Sequence, residues 1–139
     1  MTFKTVATIT SVLAFMLGVG YLFAGTILLG RWNMQVTEEV LLIARRLGAL
    51  NLGLSVIFFL ARSAPPSGVR TAITAGTATA LSVLALLGVY EFTAGRVGAG
   101  IFASVAIESL LTAGFLLVLF KGWRETPGAA GSSSGRTGH

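Results

Sequence analysis

Glu108 has the greatest capacity for chemistry in this chain, because it stands inside an otherwise uncharged run from Val97 to Phe120. A carboxylate near the centre of a bilayer costs about 3 kcal/mol on insertion scales. Such a side chain has to be protonated, paired or in contact with water. Counted along a helix, Glu108 sits roughly 12–15 Å from the outer end of its segment. Asn51 and Tyr21, in two earlier segments, fall at a similar depth, which predicts a phenol, an amide and a carboxyl in one layer. Ser104 and Thr112, one turn to either side of Glu108, extend its polar face. Taking Ala44 as origin, Arg45 lies at roughly 100° and Arg46 at roughly 200° around their helix. Arg46 should therefore snorkel toward headgroups, whereas Arg45 flanks the inner face, within reach of Glu108 or Glu91 if the helices are neighbours.

Three readings of this cluster are open. Buried polar groups normally satisfy one another, so the set can be a structural lock that fixes helix register. Intramembrane ionisable residues are also functional candidates, so Glu108 can anchor a binding or proton-linked site. Acid–base catalysis on a lipid, quinone or isoprenoid, with Arg45 or Tyr21 as electrostatic partner, is the third. The remaining equipment for catalysis is thin. There is no Cys, and the one His is the final residue, His139. Thiolate metal sites, disulfides and a buried imidazole are thus excluded. No metal or other cofactor is expected, and no catalytic residue is assigned.

The elements that must position these groups are membrane spans. The 139 residues are 54% hydrophobic and 11% charged, with a mean hydropathy of +0.85, far from the roughly one-quarter charged residues of a soluble domain. Uncharged runs cover Thr5 to Gly30, Thr71 to Tyr90 and, apart from Glu108, Val97 to Phe120. Each is long enough as a helix to cross a hydrocarbon core of about 30 Å. A fourth span has to take in Arg45 and Arg46 to reach that length before Arg62. The chain is therefore expected to be all-α, an integral membrane four-helix bundle with spans at about 5–30, 41–62, 70–91 and 98–121. Residues 1–122 form one transmembrane domain. Residues 123–139, low in complexity and rich in Gly and Ser, form a flexible cytoplasmic tail. Pro65 and Pro66 make the 63–69 segment a turn.

Membrane helices associate through small residues that let backbones approach. The expected inward stripes are Ala7, Ser11, Ala14, Gly18, Tyr21 and Gly25; Ala44, Gly48, Asn51 and Ser55; Thr71, Ala75, Ala78, Ser82 and Ala85; and Ser104, Glu108 and Thr112. With four spans, Lys4, Arg62, Arg70, Lys121, Arg124 and Arg136 share the side of both termini, against Arg31, Arg45, Arg46 and Arg96 on the other. That bias predicts an inner-membrane, multi-pass protein with cytoplasmic termini. Trp32, Tyr90 and Trp123 fall at span ends, as interfacial anchors do. The positive charges are dispersed at helix ends, so they suit anionic headgroups and offer no nucleic-acid stripe. The expected partners are the lipid bilayer and a homo-oligomer or larger membrane complex.

The apolar first span ending in LLGRW, the stretch ARRLGALNLGLSVIFFLAR and the Glu of AIESLL resemble small four-helix bacterial membrane families of the DoxX-like group. The resemblance covers roughly residues 5 to 122. It implies a four-helix bundle, a link to respiratory or redox complexes in some members, and matching positions at Arg45 or Arg46, Gly48 and Glu108. The function expected from the whole is that of a small, non-enzymatic membrane protein, free-standing or accessory to a larger complex. A small transporter or lipophilic-ligand binder with a proton-linked Glu108 is the alternative, and a membrane enzyme a further one.

Overall fold

The computed structural model describes residues 2–124, with backbone alone for residues 123 and 124. Of the expected tail, 123–139, residues 123 and 124 belong to the last helix, and the rest lies outside the described residues, as does the side chain of Trp123. The chain is an all-α four-helix bundle in which four helices are long and apolar enough to span a membrane. The elements are α1 (Phe3–Phe23), α2 (Gly25–Gly30), α3 (Glu38–Ala61), α4 (Gly68–Thr93) and α5 (Ile101–Arg124).

Each boundary has a local cause. A helix start leaves orphan backbone N–H groups that a Ser or Thr side chain can satisfy. Thr2 caps α1 by accepting from the Thr5 amide at 3.2 Å, and Ser67 caps α4 from the Arg70 amide at 3.2 Å. Thr37 does the same for α3, where Glu38 and Glu39 occupy the first turn and favour the positive end of its dipole. At the far end of α4 the chain turns through Gly95, whose φ of 70° suits a residue without Cβ. Arg96 folds back there onto Glu91 at 3.0 Å. That exposed ion pair raises the already high Arg96 pKa through its hydrogen bond to Glu91.

The first span departs from its expectation. Instead of one helix over 5–30, α1 stops at Phe23 and a second, six-residue helix follows a break at Ala24, whose φ of −130° is not helical. Two glycines make the bend possible. After it, Leu28 folds against Gly20 so closely that a Cβ there would lie 2.8 Å from its Cδ1. Gly25 rests against Leu41 and Ala44 of α3, which a Cβ would approach to 3.3 and 3.9 Å.

The bundle consists of two antiparallel pairs, α1 with α3 and α4 with α5, joined where α1 meets α5. α1 is the most buried span. At the end that carries the start of α1 and the α3–α4 turn, all four long helices contribute to one core. It contains Phe3, Val6 and Ala7 with Phe58, Ala78, Phe115 and Val118. This will be called the terminal end. At the opposite, loop end a smaller core gathers Tyr21, Leu29 and Ala44 with Trp32, Met34 and Val40 around them. The two pairs are latched there backbone to backbone, the Gly98 amide donating to the Trp32 carbonyl at 2.7 Å. Gly100 packs on the Arg31 carbonyl with no room for a side chain.

The small-residue stripes of α1 and α3 turn inward as expected: Ala7, Ser11, Ala14, Gly18, Tyr21 and Gly25 are buried, and so are Ala44, Gly48 and Ser55. α4 differs. Ala78 is buried and Ser82 and Ala85 partly so, as expected, but Thr71 and Ala75 are exposed, and Thr74 and Gly88 are buried in their place.

Candidate functional site

α5 presents Ser104, Glu108 and Thr112 at four-residue spacing, all three partly buried. α1 presents Tyr21, which is 7% exposed. Because α1 and α5 run in opposite directions and helical side chains lean toward their own N-terminus, the Tyr21 phenol descends while the Glu108 carboxyl rises. The two converge to within electrostatic reach of one another. Among the described residues no hydrogen bond or ion pair is made by Glu108 itself.

The other expected members do not join them. Asn51 Nδ2 donates to the Leu47 carbonyl of its own helix at 3.0 Å, so its amide is occupied locally. Its level also differs, because Tyr21 lies against Gly48, one turn nearer the loop end than Asn51. Arg45 is a correction. Its side chain is exposed and, among the described residues, pairs with neither Glu108 nor Glu91. Glu91 is taken by Arg96 instead. The physical reason is the pairing of helices: α3 packs along α1 rather than along α5, so the flank of α3 that carries Arg45 faces away from Glu108. Arg45 and Arg46 both lean toward the near end of α3, the direction in which an arginine snorkels to the interface.

Two residues sharpen the picture. The Thr112 hydroxyl on α5 and the Thr10 hydroxyl on α1 are both buried without a hydrogen-bond partner. Thr10 lay beside the expected α1 stripe but was not singled out; its signal was the Thr10-Ser11 pair on a helix otherwise lined by Ala and Gly. In contrast, the Thr77 and Thr79 hydroxyls on α4 donate to their own helix at 2.7 and 3.0 Å. The Thr10 and Thr112 hydroxyls are thus buried with hydrogen-bonding capacity unused. An unpaired buried hydroxyl costs about 1–3 kcal/mol. Thr112→Val, which keeps the shape, is expected to leave stability unchanged or raise it by about 1 kcal/mol. Thermal unfolding in detergent checks this, and a loss above that size would mean the hydroxyl holds a bound partner.

No group of three or more His, Cys, Asp or Glu side chains gathers into a metal site among the described residues. Ser11 and Ser55 satisfy each other across the α1–α3 contact, Ser11 Oγ donating to the Ser55 carbonyl at 2.9 Å. The site therefore consists of one carboxyl within an apolar span and one facing phenol, with Thr112, four residues from Glu108 on the same helix, adding an unpartnered hydroxyl. Such a set can hold helices in register or accept a hydrogen-bonding or cationic group. No protein-family model, curated protein or solved structure matches the chain.

Proposed function

We propose that this chain works without chemistry of its own, as a small bundle that stands alone or serves a larger membrane complex as an accessory subunit. The observation that carries this reading is the isolation of Glu108. Neither Arg45 nor Asn51 is bonded to it, and Tyr21 faces it without a hydrogen bond. General acid–base catalysis needs a proton-transfer partner within about 2.6–3.2 Å or one water away, and a lone carboxyl beside a phenol serves better to fix where α1 and α5 meet. A place among DoxX-like bacterial families belongs to this proposal and rests on the LLGRW, ARRLG and AIESLL motifs alone. So do the inner-membrane location and the cytoplasmic termini, which rest on the distribution of Lys and Arg.

A second reading has one observation in its favour. The unpartnered Thr112 hydroxyl lies four residues from Glu108 on the same partly buried face of α5, as in a pocket for a lipophilic ligand whose binding is linked to a proton on that carboxyl. One experiment separates the two. Proteoliposomes loaded with a pH-sensitive dye are challenged with a lipophilic quaternary ammonium ion. No proton movement is expected from the wild type or from Glu108→Gln, and the substitution should change only folded yield or assembly. A wild-type proton flux that Glu108→Gln abolishes would overturn the non-catalytic, non-transporting reading in favour of the second.

A further inference from the structure

On the lateral face of the α1–α3 pair lies an open groove of about 290 Å³, lined by Ser11, Val12 and Phe15 of α1 and Ser55, Val56 and Phe59 of α3. Its two serines are bonded to each other through the Ser11 hydroxyl and the Ser55 carbonyl, so the groove offers hydrocarbon rather than hydrogen bonds. That volume lies just below the roughly 300–1,000 Å³ of small-molecule sites and suits one flexible chain better than a bulky ring system.

Beyond the groove, toward the terminal end, the same two helix faces carry cations. Lys4, Ser11 and Phe15 recur along one face of α1, and Ser55, Phe59 and Arg62 along one face of α3, by the three-to-four-residue helical repeat. Lys4 and Arg62 each lie two helical turns beyond the groove serines, about 10 Å, and both toward the terminal end. Lys4 is exposed. The Arg62 guanidinium lies 3.5 Å from the centre of the Phe59 ring and donates to the Phe59 carbonyl at 3.0 Å. One cation is thereby fixed to the groove wall itself. An apolar slot open to the side, with two cations at headgroup level on the same stripe, has the charge and shape of one kind of molecule.

We propose that the α1–α3 groove seats an acyl chain of an anionic phospholipid whose phosphate is held toward the terminal end by Lys4 and Arg62. The assignment is independent of Glu108 and goes beyond the proposed function, because it gives the bundle a specific lipid rather than a general membrane environment. Each cation near an anionic headgroup contributes about fivefold in affinity, so the pair should confer a preference that a merely apolar groove lacks.

The test is native mass spectrometry of the full chain, released from nonionic detergent after incubation with an equimolar mixture of phosphatidylglycerol and phosphatidylcholine. The wild type is expected to retain phosphatidylglycerol preferentially. Lys4→Gln and Arg62→Gln should each weaken that preference about fivefold, and the double variant should nearly abolish it. Val56→Trp, which fills the groove from an exposed position, should lower retention of both lipids. Lys121→Gln, a charge removed from the same end but from α5, should leave the preference intact. Equal retention of the two lipids by the wild type overturns the proposal. So does a loss in Lys121→Gln as large as in Lys4→Gln and Arg62→Gln, which would mean general surface charge. Undiminished binding by both Val56→Trp and the double variant overturns it as well.

Discussion

Replacing Gly48 by valine is expected to separate α1 from α3 and to cost about 3 kcal/mol, the upper part of the usual range for overpacking. A Cβ at Gly48 would lie 2.9 Å from the Gly18 carbonyl oxygen and 3.1 Å from both Leu22 Cγ and Tyr21 Cβ. The first of these is backbone and cannot rotate away, so the helices themselves must move. The reciprocal position is comparably tight. A Cβ at Gly18 meets the Gly48 carbonyl oxygen at 3.0 Å, again backbone, and Leu52 Cδ2 at 2.7 Å; only the Leu52 side chain, partly buried, has room to change rotamer. Gly53, on the same helix as Gly48, has nothing within 4 Å of the Cβ position. The expected order of destabilisation is therefore Gly48→Val first, then Gly48→Ala and Gly18→Ala at similar cost, with Gly53→Ala neutral or slightly stabilising through helix propensity. Unfolding titrations in mixed micelles of mild detergent and dodecyl sulfate measure the series. If Gly48→Ala unfolds together with Gly53→Ala, the close α1–α3 approach is wrong. Because Tyr21 rests on Gly48, the same substitution should also displace the phenol from Glu108.

That the Gly18 and Gly48 faces turn inward was legible in the sequence, and the reason is directional. Along α1 and α3 the small residues recur at three- and four-residue spacing between Leu, Ile, Val and Phe, so only one face permits close approach. α4 carries no such direction. Its stretch TAITAGTATALS puts Ala, Gly or Thr on nearly every face, and the buried side is selected by where Ile73 and Leu81 meet the four-helix core. Thr71 and Ala75 were consequently misassigned. The break at Ala24 was hidden because an uninterrupted apolar run has the same composition whether it bends or not; only the glycines at 20 and 25, which the bend requires, marked it. For the candidate site, helical spacing placed Ser104, Glu108 and Thr112 on one partly buried face and brought Tyr21 opposite. It could not place Arg45, because angular position within one helix says nothing about which helix lies alongside. That depends on the pairing of α3 with α1, a long-range choice made by the Gly18–Gly48 and Ser11–Ser55 contacts.

Phe115→Ala is expected to cost about 2 kcal/mol, less than the roughly 3–5 kcal/mol of the same change in a soluble core. Lipid tails are as apolar as the side chain, so unfolding into the bilayer exposes Phe115 to hydrocarbon and the transfer part of the cost disappears. What is left is the cavity and the lost dispersion contacts. These matter here because Phe115 is fully buried and its ring stands 5.7 Å from that of Phe58, tilted by 41°. The pair joins α3 to α5 inside the one core to which all four long helices contribute. Phe58→Ala should cost about as much as Phe115→Ala, and the double variant less than the sum of the two by about 1 kcal/mol, the worth of an aromatic pair. Strict additivity would show that the rings fill space independently. A structural readout accompanies the energetic one, because the chain has no Cys and accepts site-specific spin labels. With labels at the exposed positions Val12 on α1 and Leu117 on α5, the distance distribution should be narrow in the wild type and broaden in Phe115→Ala. The loop end should change less, since the Gly98–Trp32 backbone latch does not depend on the ring. An unchanged distribution would mean that the two helix pairs are held together from the loop end alone, and that the terminal core follows their union instead of causing it.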